Sequence, residues 1–139
     1  MSVKSSAINL SAVDRPIQNT TIAKMQYYEK MTWIVELLDD RVRGELEVLP
    51  VDMKARFRRI VELIQGYGLE QMREPHVKHL EGPLWEMRMK GKDGISRAIY
   101  VTARGRRVVV VRVFVKKTQK TPRHEIDLAL ERAKEVNQR

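Results

Sequence analysis

One stretch limits the folds open to this chain more than any other, because a long apolar run ends in a cluster of lysines. It reads VVVVRVFVKKTQKTP at residues 108–122. The valines and the aromatic residue favour a buried, central β-strand. Lys116, Lys117 and Lys120 follow where that strand leaves the core, and Thr121 with Pro122 is typical of the N-cap and first residue of a helix. The sequence therefore predicts a rigid strand that presents cations at one fixed place.

Upstream of this strand, hydrophobic spacing predicts one strand and two helices. Residues 33–38 read WIVELL, a short apolar strand, and Asp39 and Asp40 after it are candidate helix caps. Apolar residues with helical spacing then predict a first helix that ends at Pro50. The same spacing predicts a second helix that begins near Asp52 and ends at Gly66 or Gly68. Two helices with so short a link form a hairpin.

The rest of the chain is predicted to be a loop, three strands and a helix. Residues 69–83 lack a period and contain two prolines, which favours a loop that carries His76, Lys78 and His79. Residues 84–90 and 95–103 alternate, and glycine turns join them to each other and to the valine strand. An apolar stripe predicts a C-terminal helix from about Pro122. The order β-α-α-β-β-β-α indicates an α+β fold: an antiparallel sheet with the helical hairpin on one face.

Composition separates an N-terminal segment from the domain. Residues 1–30 are polar and show neither a strand nor a helix period, so we interpret them as an extension or arm, which we hypothesise to be dispensable; residues 31–139 form the domain. The chain has no cysteine, which excludes disulfides, thiolate metal ligands and cysteine nucleophiles.

The histidines and the hydropathy bear on metals and membranes. His76 and His79 lie close together but lack acidic or thiolate neighbours, so we expect no metal site and no cofactor. No apolar run reaches the length of a membrane span, and the first residues lack the apolar core of a signal peptide. We therefore expect a cytoplasmic protein without a membrane partner.

Positive charge is concentrated in one part of the chain. The formal net charge is +9, and residues 85–123 alone hold twelve Lys or Arg against two acidic residues. Such a field favours a polyanionic partner such as RNA or DNA, because neutralising phosphates releases counterions. A solvated basic face that serves solubility is the alternative.

Arginines on two of the predicted strands could join the lysines in one positive concavity. Arg88 and Arg97 come from neighbouring strands, although a register slip of one residue would send either to the opposite face. Structural roles compete with this interpretation: Arg88 could face solvent, and Arg97 or Arg112 could pair with Glu36 or Glu86 inside the fold.

Three segments of the sequence resemble a known protein family. The strings LWEMRMK (84–90), ISRAIYV (95–101) and VVVVRVFVKKTQKTPRHEIDLALERA (108–133) are similar to the phage-derived, HigB-like branch of the RelE/ParE toxin superfamily. The resemblance runs from about Thr32 to the C-terminus. It implies a RelE-like fold and the toxin of a type II toxin–antitoxin pair. Such toxins cleave mRNA, generally on the ribosome and without a metal, and the usual antitoxin is a helix-turn-helix protein.

The resemblance and the residue chemistry together give candidate site residues. RNA carries its own nucleophile, the 2′-hydroxyl, so the enzyme need only position it and manage charge. The candidate catalytic residues are Arg88, Arg97, Lys117 and Lys120: the arginines to clamp phosphate, and a lysine to donate a proton. The candidate RNA-binding residues are Lys78, His79, Lys90, Arg112, Lys116 and Arg123.

Two questions stay open at the level of sequence. The general base could be His76, His79, His124 or Glu125, and nothing chooses among them. The function could also be ParE-like inhibition of DNA gyrase, or nucleic-acid binding without catalysis.

Overall fold

The structure of the chain, a computed structural model, describes residues 8–9 and 32–136. These residues form one six-stranded sheet, three α-helices and a 3-10 helix at Leu69–Gln71. The strands are β1 (Ile8–Asn9), β2 (Ile34–Leu37), β3 (Val77–Glu81), β4 (Leu84–Gly91), β5 (Gly94–Ala103) and β6 (Arg107–Lys116). The helices are α1 (Asp40–Glu47), α2 (Val51–Tyr67) and α3 (Arg123–Val136). The predicted α+β class is confirmed.

The valine strand β6 lies inside the sheet, whose order is β1-β2-β6-β5-β4-β3. β2 pairs parallel with β6, and the other neighbouring strands pair antiparallel. Val108 to Val111 are fully buried, as expected for a strand covered on both faces. The predictions of a central valine strand and of three adjacent antiparallel strands are therefore confirmed.

The helical hairpin covers one face of the sheet. Asp39 caps α1 by accepting a hydrogen bond from the Arg41 N–H, and Pro50 separates α1 from α2. The buried stripe of α2 packs on β4, where Met87 and Met89 are fully buried while Lys90, which points the other way, is exposed. This alternation places α2 on the methionine face of the sheet.

The turn between β4 and β5 lies against the start of α2. A β-carbon on Gly91 would lie 2.7 Å from a carboxylate oxygen of Asp52 and 2.9 Å from Met53. The same Asp52 carboxylate accepts a 2.8 Å hydrogen bond from the Lys92 N–H. Glycine at position 91 therefore allows the sheet and the hairpin to approach closely.

A cluster of ion pairs joins α1, β6 and α3. Glu45 of α1 accepts from Arg112 and from Arg132, each at 2.8 Å, and Arg112 also binds Glu125 of α3 at 2.6 Å. Arg132 donates in addition to the Val111 carbonyl at 2.9 Å. These four charged residues, called here the Glu45 network, fix α3 on the face of the sheet opposite to α2.

Two strands were not predicted. The expected loop at residues 69–83 is wrong in part, because it holds the 3-10 helix and the edge strand β3, which pairs with β4. Val77 is the single buried residue of β3, so the strand leaves almost no hydrophobic signal in the sequence. β1 lies within the predicted extension and pairs with β2. The other residues of the extension lie outside the described residues, and its dispensability stays a prediction.

Among the described residues, none of the helices is both long enough and apolar enough to span a membrane. Nor do three His, Asp or Glu residues cluster there in a way that could hold a metal ion.

Candidate functional site

The register of the sheet brings cations from four strands onto the face opposite to α2. Arg88 of β4 is the cross-strand partner of Arg97 of β5, and Lys78 of β3 is the partner of Glu86. Side chains of directly paired residues share one face of a sheet, with β-carbons about 5 Å apart. We call the resulting cluster the basic sheet face; its members are Lys78, Arg88, Lys90, Arg97 and Lys116.

Arg97 is the buried member of this face. Arg97 is only 3% exposed, and its guanidinium forms an ion pair with Glu86, which is 1% exposed. Burial lowers the pKa of Arg97, Glu86 opposes that effect, and the neighbouring Arg88 adds to it. The Nε atom of Arg97 lacks a hydrogen-bond partner within the described part of the chain. Arg97 is therefore held by Glu86 and is not open to a ligand.

Arg88 is the arginine that a ligand can reach. It is half-buried, and its side chain forms no ion pair with any of the described residues. Its backbone N–H donates to the His76 carbonyl at 2.9 Å, which anchors β4 to the start of β3. A partly shielded guanidinium without a carboxylate partner is well suited to bind two oxygens of a phosphate.

Lys116 stands out among the lysines. It is half-buried at the end of β6, where burial lowers the pKa of its ammonium group. Positive charge on Arg97, Arg88 and Lys78 lowers that pKa further, and Glu86 acts in the opposite direction. A lowered pKa makes Lys116 a better proton donor than an ordinary lysine.

The segment between β6 and α3, residues 117–122, carries the other two lysines. Lys117 and Lys120 are exposed. The Thr118 hydroxyl donates to the Lys120 carbonyl at 2.6 Å, inside the segment. We call residues 117–122 the lysine loop. It places two exposed cations beside the basic sheet face.

The predicted helix start needs a correction. Thr121 was expected to be the N-cap and Pro122 the first helical residue, but α3 begins at Arg123. The Thr121 hydroxyl donates to Glu86 Oε2 at 2.9 Å, across the sheet face, instead of capping the helix. A buried carboxylate on β4 offers the hydroxyl a charged acceptor, which makes the stronger hydrogen bond.

Three of the predicted RNA-binding residues are not part of this cluster. His79 lies on the α2 face, where its ring packs edge-on against Trp85 with centroids 4.9 Å apart, and its Nε2 bonds the Gly82 carbonyl. Arg112 belongs to the Glu45 network. Arg123 is exposed but forms ion pairs with Glu81 and Asp127, at 2.8 and 2.9 Å.

The candidate bases are likewise separated from the basic sheet face. Glu125 is buried and binds Arg112, and the exposed His124 lies 3.5 Å from Glu125. His76 precedes β3 and His79 lies on the α2 face. None of these positions adds a base to the cluster, and the base stays unassigned.

Sequence reasoning did not assign a site role to Glu86 or Thr121, and it placed Lys116 among the binding residues only. The one signal available for Glu86 was its position in the alternating strand LWEMRMK, on the side of Arg88. Burial lowers the pKa of Lys116, and neighbouring cations on three other strands lower it further, so the shift depends on tertiary packing and on the register.

A mostly antiparallel α+β sheet with two helices on one face and one on the other is compatible with a RelE-like fold. Residues 44–134 match the family described as phage derived protein Gp49-like (DUF891). The chain belongs to this family, whose members are phage-derived toxins of the RelE/HigB type. An antitoxin is therefore a partner of the protein. A comparison with curated proteins finds no match to the chain.

Proposed function

We propose that this toxin is a HigB-like endoribonuclease that cleaves mRNA on the ribosome, in the cytoplasm, without a metal or other cofactor. The observation that carries the proposal is the basic sheet face: it holds Arg88, whose guanidinium has no ion pair among the described residues, and Lys116, an ammonium with a lowered pKa, on the same side of the sheet. A phosphate clamp beside a proton donor is what cleavage by the RNA's own 2′-hydroxyl requires.

The reaction is an internal transfer of the phosphate. The 2′-hydroxyl gives up its proton to a general base, which stays unassigned, and its oxygen bonds to phosphorus while the bond between phosphorus and the 5′-oxygen breaks. The 5′-oxygen then leaves with a proton supplied by the enzyme, so the products carry a 2′,3′-cyclic phosphate and a 5′-hydroxyl. Negative charge grows on the phosphate oxygens in the transition state, and fixed cations stabilise it.

The residues divide into four roles in this proposal. Arg88 clamps the phosphate, and Lys116 donates the proton to the leaving oxygen. Arg97 is too buried to touch the RNA, and its role in the site is the ion pair that it forms with Glu86. The remaining cations orient the RNA backbone; they are Lys78, Lys90, Lys117 and Lys120.

We further propose that the antitoxin is a helix-turn-helix protein that neutralises or covers the basic sheet face. An inhibitor that works by charge presents acidic side chains and binds more weakly as the salt concentration rises. Affinity that does not change with salt would instead indicate an apolar contact away from this face.

Expression of the toxin without its antitoxin, followed by mapping of transcript 5′ ends, tests the function. We expect new 5′-hydroxyl ends with the wild type and far fewer with Arg88→Ala. Arg56→Ala is the matched control, because Arg56 is an exposed arginine of α2 and its loss changes the net charge equally. The control should cleave like the wild type.

Three results would contradict the proposal. Growth arrest with intact transcripts would exclude a nuclease, and loss of gyrase supercoiling activity in the same cells would identify a gyrase inhibitor. Salt-sensitive RNA binding that Arg88→Ala and Lys117→Ala weaken, without cleavage in any variant, would identify a binding protein.

A further inference from the structure

Glu86 is a buried carboxylate in the middle of the basic sheet face. Both of its oxygens have a partner: Arg97 binds Oε1, and the Thr121 hydroxyl donates to Oε2 at 2.9 Å. A buried charge is costly unless it is paired and hydrogen-bonded, so these contacts fix the carboxylate in one position. Glu86 thereby links β4, β5 and the lysine loop.

The lysine loop has few other attachments to the sheet. Residues 117–120 are exposed, and the hydroxyl of Thr118 is used inside the loop. In the part of the chain that the structure describes, the Thr121–Glu86 hydrogen bond is the one side-chain bond that joins the loop to a strand. Its loss would leave the lysine loop without a side-chain hydrogen bond to any strand in the described part of the chain.

We propose that Thr121 and Glu86 are positioning residues, and that their hydrogen bond holds the lysine loop beside Arg88 and Lys116 for cleavage. The inference rests on the proposed function, since it assigns the loop's place in that reaction. In this proposal Thr121 acts through the Glu86 carboxylate of β4 and does not touch the RNA.

Thr121→Val tests the proposal, because valine keeps the shape of threonine and removes the hydroxyl. We expect kcat for cleavage of ribosome-bound mRNA to fall about tenfold to a hundredfold, because RNA held out of its reacting geometry loses rate more than affinity. KM should change less. Thr121→Ser retains the hydroxyl and should restore kcat to within about threefold of the wild type. Thr102→Val, at an exposed position of β5, is the matched control and should be neutral.

A second measurement does not depend on RNA. Limited trypsin digestion, read by mass spectrometry, gives the initial rate of cleavage after Lys117 and Lys120. We expect this rate to rise severalfold in Thr121→Val and to stay at the wild-type value in Thr121→Ser and Thr102→Val. Urea unfolding of each variant shows whether the fold is retained.

The outcomes separate the two proposals. A wild type that cuts no mRNA, combined with faster digestion of Thr121→Val, would overturn the proposed function and leave the loop attachment supported. An active wild type with unchanged kcat in Thr121→Val would overturn the positioning role. Equal loss of kcat in Thr121→Val and Thr121→Ser would overturn it as well, because the hydroxyl would not be the cause.

Discussion

Replacing Glu45 with glutamine should destabilise the protein strongly, because one carboxylate serves three donors. Glu45 accepts from Arg112 and Arg132 at 2.8 Å and from the Val113 N–H at 3.0 Å. Arg132 is 8% exposed, so the loss of its partner leaves a buried charge without compensation. Glutamine keeps the size and one oxygen but removes the negative charge.

The size of the effect follows from what the arginines retain. Removing one partner of a buried ion pair costs about 3–5 kcal/mol. Arg112 keeps Glu125 and Arg132 keeps the Val111 carbonyl, which places the expected loss at the lower end, about 3 kcal/mol. Most of that loss should come from weaker attachment of α3 to α1 and β6, because α3 then keeps the Arg112–Glu125 pair and the Arg132 bond to the Val111 carbonyl but loses the Glu45 contact.

Urea unfolding followed by circular dichroism measures the change in the free energy of unfolding from the midpoint and slope. Glu62→Gln is the control: Glu62 is an exposed residue of α2 whose pair with Arg59 spans 3.5 Å, and surface pairs contribute less than about 1 kcal/mol. A loss below about 1 kcal/mol for Glu45→Gln would refute the view that the network holds α3 in place.

The other predictions concern the site and the packing beneath it. Lys116→Arg should lower the cleavage rate and remove the decline expected at alkaline pH: the rate with Lys116 falls as the pH rises through its lowered pKa, whereas a guanidinium stays charged and donates no proton. A pH profile of kcat checks this, and an unchanged decline would assign the proton donor elsewhere. Arg88→Lys should reduce kcat/KM about tenfold to a hundredfold, since an ammonium cannot bind two phosphate oxygens in the same plane, and cleavage kinetics measure it. Gly91→Ala should cost about 1–3 kcal/mol in urea unfolding, because its β-carbon would meet Asp52 and Met53.

The elements that carry a strong hydrophobic period were predictable from the sequence. The valine run of β6, the alternation of β4 and the stripe of α2 each bury most side chains of at least one face, so their hydrophobic spacing predicts their structure. β3 was missed for the opposite physical reason: an edge strand with a single buried side chain has no such pattern.

The cations of the basic sheet face were all named from the sequence as candidate site residues, but their arrangement could not be predicted. Arg88 and Arg97 lie on adjacent strands, each with an alternating hydrophobic pattern. The sequence could not show that Glu86 binds Arg97 and leaves Arg88 open to a ligand. That difference depends on register and on burial, which arise from tertiary packing. Thr121 illustrates the same limit, because a residue typical of an N-cap found a charged partner on another strand.

In the described structure, β2 covers only the first part of its side of β6, and this has a consequence for self-association. β2 pairs with β6 only along residues 107–110, and beyond them the Glu45 carboxylate occupies the Val113 N–H. An unpaired strand edge is a template for β-pairing between chains, and natural proteins block such edges with charged groups. Glu45 and α1 thus insulate the most apolar strand of the molecule from a second copy. A toxin that accumulates when its antitoxin is lost would otherwise expose an aggregation-prone edge next to its own site.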